Sequence, residues 1–158
     1  MKRNTYILIF FLSCILFALP ALAKEPKPLL AGHAQITLKI KKHTLRFDQA
    51  IRIETADQAR FEALDDFGNS FFKIAFTPEG IQFESQGNEQ SLSDAQFAKL
   101  VRLKLTREEF IQILLGKSPE GKIPKKRVVV HYPDAKTIEI LSGKTFFQLI
   151  WKEVERKN

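Results

Sequence analysis

The side chains with the widest chemical repertoire in this sequence are its histidines and its adjacent acids. The chain has three isolated histidines, His33, His43 and His131. They lie on separate segments, without the paired spacing that is typical of metal ligands. Asp65 and Asp66 stand together, but the Phe67-Gly68-Asn69 segment that follows is typical of a turn, where aspartate hydrogen-bonds to the backbone. We therefore interpret these acids as turn residues and expect no metal site.

Motifs that would indicate catalysis are missing from the sequence. It contains no nucleophile elbow, no phosphate-binding loop and no zinc signature. We therefore expect that the protein is not an enzyme, and that it uses neither a metal nor a cofactor.

The single cysteine, Cys14, lies in a segment that resembles an export signal. Lys2 and Arg3 precede an apolar run, and Ala21-Leu22-Ala23 is the small-x-small pattern cleaved by signal peptidase. Cleavage after Ala23 would leave a periplasmic chain without cysteine, which can form no disulfide. The alternative is an outer-membrane lipoprotein acylated at Cys14, because residues 11–14 loosely resemble a lipobox. We favour cleavage, since the lipoprotein would carry apolar residues where a polar tether is expected.

Length and charge restrict the function further. The 158 residues include 25 lysines and arginines and 18 aspartates and glutamates, for a net charge of +7. Without residues 1–23 the net charge is +5. The remaining chain has the size of one domain, and we expect the protein to be monomeric. Two basic clusters, residues 39–42 and 122–127, could contact anionic lipid headgroups or another polyanion, although solvated strand ends explain them equally well. Nucleic acid is not an expected partner, because these clusters lack interleaved aromatic residues.

Hydrophobic periodicity predicts the elements that would position any site. Residues 24–32, with Pro26 and Pro28, indicate a tether, and the domain is expected to span residues 33–158. Apolar residues alternate from His33 to about Gln86, which predicts antiparallel strands. Capping boxes at Ser93 and at Thr106 then predict two short helices, and strands return after residue 124. We predict an α+β domain in which a curled antiparallel sheet, an incomplete barrel, is plugged on its concave face by the two helices.

Phenylalanine is the most informative residue type. Eleven of the 14 phenylalanines remain after the signal, beside one tyrosine and one tryptophan. Rings without a polar group favour apolar burial over hydrogen-bonded recognition of a sugar or a base. A phenylalanine-rich core would explain them, but the doublets at residues 71–72 and 146–147 place rings on both faces of their strands.

Two segments resemble a known family. Residues 58–68, QARFEALDDFG, and residues 97–119, with LLGKSP near their end, are similar to the corresponding regions of the bacterial outer-membrane lipoprotein-localisation proteins of the LolA/LolB superfamily, LolB especially. The resemblance implies an incomplete barrel whose apolar concave face holds acyl chains. It implies a periplasmic carrier or binding protein for a lipid or lipoprotein, which delivers its cargo to the outer membrane.

The resemblance also implies site residues. The apolar groove would be lined by Phe47, Phe61, Phe72, Phe76, Phe83, Phe110, Leu114 and Phe147. The matching turn in LolB carries a protruding apolar residue before its glycine, so Phe67 is the expected membrane-contact tip. The alternative is an envelope protein–protein interaction module with a filled barrel and no ligand.

Overall fold

The computed structural model describes residues 27–124 and 126–157. The predicted signal peptide, Cys14, the first residues of the tether and Lys125 of the second basic cluster lie outside this part of the chain. The described elements, in chain order, are β1 (Leu30–Ile40), β2 (His43–Ile53), β3 (Ala59–Leu64), β4 (Ser70–Thr77), β5 (Gly80–Ser85), β6 (Asn88–Leu92), α1 (Asp94–Val101), α2 (Arg107–Leu114), β7 (Gly121–Lys122), β8 (Val128–Asp134), β9 (Thr137–Ser142) and β10 (Thr145–Arg156).

The ten described strands form one antiparallel sheet in the order β6-β5-β4-β3-β2-β1-β10-β9-β8-β7. Each strand of the first six pairs with the next along the chain, as do the last four, and β1 pairs with β10. The sheet is therefore two meanders joined in the middle. Its edge strands, β6 and β7, do not pair with each other, so the sheet is open, as expected of a curled sheet. The predicted antiparallel sheet with two short helices is confirmed.

The junction between β1 and β10 requires a glycine. The two strands pair from Leu30 opposite Arg156 to Ile40 opposite Thr145, with a bulge after His33. A Cβ placed on Gly32 would lie 2.2 Å from the carbonyl oxygen of Glu153, which is closer than any carbon–oxygen contact allows. Glycine permits the backbones to approach this closely.

The strand boundaries differ from the expectation at three places. β1 begins at Leu30, so it includes the last three residues of the segment interpreted as a tether. Leu30 is fully buried, and its partners in β2 and β10 outweigh the influence of the preceding prolines. The sequence did not predict β6 or β7, because β6 is polar except for Leu92 and β7 has only two residues. β10 extends to Arg156, five residues beyond the apolar run.

Both helices begin at the predicted capping boxes. The backbone N–H of Gln96 donates to Oγ of Ser93 at 3.3 Å, and that of Ser93 donates to Oε1 of Gln96 at 2.8 Å. Thr106 and Glu109 form the same reciprocal pair at the start of α2. Each pair satisfies two backbone donors that a helix start leaves without partners.

The helices pack on one face of the sheet and complete its core. The ring centroid of Phe97 in α1 lies 5.1 Å from that of Phe76. Phe110 in α2 lies 5.9 Å from Phe61 of β3 and 5.7 Å from Phe147 of β10, so it bridges the two meanders. Neither described helix is long and apolar enough to cross a membrane.

Replacing Gly32 by alanine tests the junction. We expect Gly32→Ala to lower the free energy of unfolding by about 1–3 kcal/mol, because the added methyl must displace the backbone of β10. Urea denaturation followed by circular dichroism measures this change. Ala31→Ser, at the adjacent half-buried position, is the control and should change stability by less than about 0.5 kcal/mol. Equal stability of the two variants would contradict the close approach.

Candidate functional site

An apolar cavity of about 260 Å³ lies between the helices and the inner face of the sheet. Six strands of the sheet contribute to its wall, each through side chains on the same face. These strand residues are Ile36, Leu38, Leu45, Phe47, Gln49, Phe61, Phe72, Ile74, Phe83 and Phe147. Within one strand they are spaced by two, because successive side chains of a strand point to opposite faces.

The helices and the segment between them cover the opposite side of the cavity. Phe97, Leu100 and Val101 of α1 line it, as do Leu103 in the connecting segment and Phe110 of α2. The α1 residues recur at the spacing of one helix face. The described helices therefore cover one face of the sheet.

Gln49 is the one polar residue of the lining. Its side chain is about nine-tenths buried and forms no hydrogen bond with a described residue. Within this wall only the Gln49 amide can form a hydrogen bond to an occupant of the cavity.

The predicted groove residues divide into two groups. Six of them line the cavity: Phe47, Phe61, Phe72, Phe83, Phe110 and Phe147. Phe76 and Leu114 do not. The Phe76 ring is enclosed between Phe61 and Phe97, and Leu114 is fully buried in the core. For these two residues the expectation of a lining position is corrected, because the packed core fills the space that they face.

Several lining residues were missed by the sequence analysis. Ile36, Leu38 and Leu45 occupy the same strand face as predicted members, so the period of two was a signal that could have identified them. Leu100, Val101 and Leu103 depend on where α1 lies above the sheet, for which periodicity gives no signal.

The cavity opens toward solvent beside exposed apolar side chains. Leu45 and Leu100 both line it and are 55% and 52% exposed. Phe71, which is also exposed, places its ring 6.1 Å from Phe47 and 5.0 Å from Phe72. These residues form the mouth of the cavity, which has an apolar rim.

The predicted turn at residues 65–69 is confirmed, and it presents Phe67 to solvent. Oδ1 of Asp65 accepts hydrogen bonds from the backbone N–H groups of Asn69 at 2.8 Å and Phe67 at 2.9 Å. The hydrogen bonds from Asn69, and then that from Phe67, lower the pKa of Asp65.

The Phe67 ring is 91% exposed and does not fold back over the core. Pairing of Leu64 with Asp48 puts this turn at the same end of the sheet as the mouth.

Arg107 fixes both helices to the sheet. Its guanidinium donates to the backbone carbonyls of Thr77 and of Gly80 in the β4–β5 turn, the latter at 3.1 Å. Its Nε lies 2.8 Å from Oδ1 of Asp94 in α1, as an ion pair without hydrogen-bond geometry. Because Arg107 is the first residue of α2, one mostly buried side chain connects α1, α2 and the sheet.

The three histidines lie outside the cavity. His33, His43 and His131 are exposed on β1, β2 and β8, and none lines it. Among the described residues, no three histidine, cysteine or acidic side chains lie close enough together to hold a metal.

A scan of protein-family models finds none that fits this chain, and a search of curated proteins finds no significant relative.

Arg107→Met tests the attachment of the helices. We expect it to lower the free energy of unfolding by about 1.5–3 kcal/mol, because two carbonyls and one carboxylate lose a charged partner. Arg46→Met, on an exposed arginine of β2, is the control and should change stability by less than about 0.5 kcal/mol. Similar urea midpoints for the two variants would show that Arg107 does not hold the helices in place.

Proposed function

We propose that this protein is a non-enzymatic carrier that holds an acyl chain of a lipid or lipoprotein in its apolar cavity. The observation that carries the proposal is the cavity itself, with fourteen apolar lining residues and a single amide. A protein core is normally close-packed, so an apolar space of this size is a departure that requires a reason. Binding of an apolar chain supplies one.

The volume is suitable for part of such a chain. Engineered apolar cavities of about 150 Å³ stay dry and bind benzene, whereas small-molecule pockets begin near about 300 Å³. A space of about 260 Å³ lies between these limits. Each buried methylene contributes about 0.8 kcal/mol, so useful affinity needs few polar contacts.

The architecture supports the same function. An open sheet whose concave face is covered by two helices corresponds to the incomplete barrel that the resemblance to LolB implies. The export signal expected in residues 1–23 would place the carrier in the periplasm, where transfer to the outer membrane is the function of that family. The exposed Phe67 ring lies at the same end of the sheet as the mouth, as a tip that contacts a membrane should.

An interaction module remains the competing function. It was expected to have a filled barrel, and the cavity counts against it. Extraction of the purified protein with organic solvent, followed by mass spectrometry, distinguishes the two functions. A carrier should release lipid and should bind an environment-sensitive acyl probe, whereas an interaction module should do neither.

Filling the cavity should abolish binding while preserving the fold. Val101→Trp places a large ring in the cavity from the last residue of α1. We expect the affinity for an acyl probe to fall by at least about tenfold, because the lost volume accommodates several methylenes. Thermal stability should be unchanged or higher.

Leu141→Trp is the matched control, because Leu141 is exposed and does not line the cavity. Its probe affinity should equal that of the wild type. Undiminished probe binding by Val101→Trp, with a folded protein, would place the ligand elsewhere.

The tip is tested by Phe67→Glu. The substitution should reduce association with liposomes, or transfer of cargo to them, because it replaces an exposed apolar ring by a charge. Probe affinity and melting temperature should stay close to those of the wild type. Phe67→Leu is the control and should retain most of the association. A decrease in melting temperature of about 4 °C or more would identify the ring as part of the core instead.

A further inference from the structure

The positive charge of the domain is concentrated around the mouth of the cavity. Three segments meet there: residues 39–45 at the β1–β2 turn, residues 97–104 at the end of α1, and residues 141–147 at the β9–β10 turn. Together they contain seven lysines and arginines and no aspartate or glutamate. Residues 24–158 have a surplus of five basic residues, so the part outside these three segments has a net charge of −2.

Pairing and hydrogen bonding bring the three segments together. Ile40 pairs with both His43 and Thr145, so the β1–β2 and β9–β10 turns lie side by side. The backbone N–H of Lys104 donates to Oγ of Ser142 at 3.3 Å, which connects the segment after α1 to the end of β9. Leu45 and Leu100, from two of these segments, are the exposed lining residues of the mouth.

Most of these cations form no ion pair within the part of the chain that the structure describes. The Nζ of Lys39 lies 5.3 Å from the ring centroid of Phe146. The other six, which we call the basic collar, are exposed and form no ion pair with a described residue: Lys41, Lys42, Lys99, Arg102, Lys104 and Lys144. At the same end of the sheet, the Asp65 carboxylate accepts hydrogen bonds from the backbone N–H groups of Phe67 and Asn69 in its own turn.

We infer that the ligand of the cavity is an anionic amphiphile, whose acyl chain enters the cavity and whose negatively charged headgroup is held by the basic collar. The inference rests on the proposed function and adds the class of ligand. An uncharged or cationic headgroup would leave the collar cations repelling one another without compensation. A carboxylate or phosphate at the mouth would instead lie within reach of cations from three segments, next to the low-dielectric wall that strengthens the attraction.

Two fluorescent ligands that differ only in headgroup charge test this inference: a labelled fatty acid and its methyl ester. The wild type should bind the acid more tightly, and the preference should decrease in high salt, which screens exposed charges. The collar variant Lys42→Glu/Lys144→Glu should lose about tenfold or more in affinity for the acid. Its affinity for the ester should stay within about twofold of the wild type.

Lys117→Glu/Lys157→Glu is the control with the same change in charge. Both lysines are exposed at the opposite end of the domain, where Gly116 lies against Arg156. This variant should bind the acid as the wild type does. Equal binding of acid and ester by the wild type would overturn the inference and leave the carrier function intact. Failure of the wild type to bind either ligand would contradict both the inference and the proposed carrier function.

Vesicles separate a bound lipid from a bilayer surface as the source of the anionic headgroup. The collar variant and the wild type are compared on vesicles that contain anionic lipid and on vesicles of neutral lipid. If the collar variant binds the fatty acid normally but loses association with the anionic vesicles, the collar serves the bilayer surface, and the inference is wrong.

Discussion

The ladder between β1 and β10 joins two meanders that would otherwise be separate sheets, and it depends on the absence of a side chain at Gly32. The cavity lies across this ladder, since Leu38 and Phe147, which pair directly, are both in its wall. A slip of one residue in the register would move every such side chain to the other face. The β1–β10 register therefore determines which side chains form the site.

Two helices of eight residues each would be marginal in isolation, so their position above the sheet depends on tertiary contacts. Capping boxes define where each helix begins, Arg107 attaches both to the β4–β5 turn, and the rings of Phe97 and Phe110 pack on the sheet. α2 is buried along most of its length, whereas α1 leaves Leu100 partly in solvent. The difference in depth between the two helices leaves the space that becomes the cavity.

Local patterns in the sequence predicted most of the helices and strands, but fewer of the residues at which they begin and end. The capping boxes located both helix starts because they depend on residues three positions apart. β6 was missed because four of its five residues are polar, although the two-residue Gln86-Gly87 turn, with φ of 52° and 77°, is typical of a hairpin. Strand periodicity identified which face Phe76 occupies. How deeply the Phe76 ring is buried depends on its contact with α1. No local sequence pattern encodes such a long-range contact.

The open edges have a mechanical consequence. Among the described residues no backbone hydrogen bond connects β6 to β7, so a change in the curvature of the sheet could separate the two edges without breaking the ladder. A closed barrel has a circumference set by its number of strands and their stagger. In this molecule the circumference is not fixed, and the internal volume follows from how tightly the sheet bends around the two helices. If the cavity holds an acyl chain as proposed, a longer or bulkier chain could be accommodated by bending of the sheet without loss of a ladder hydrogen bond.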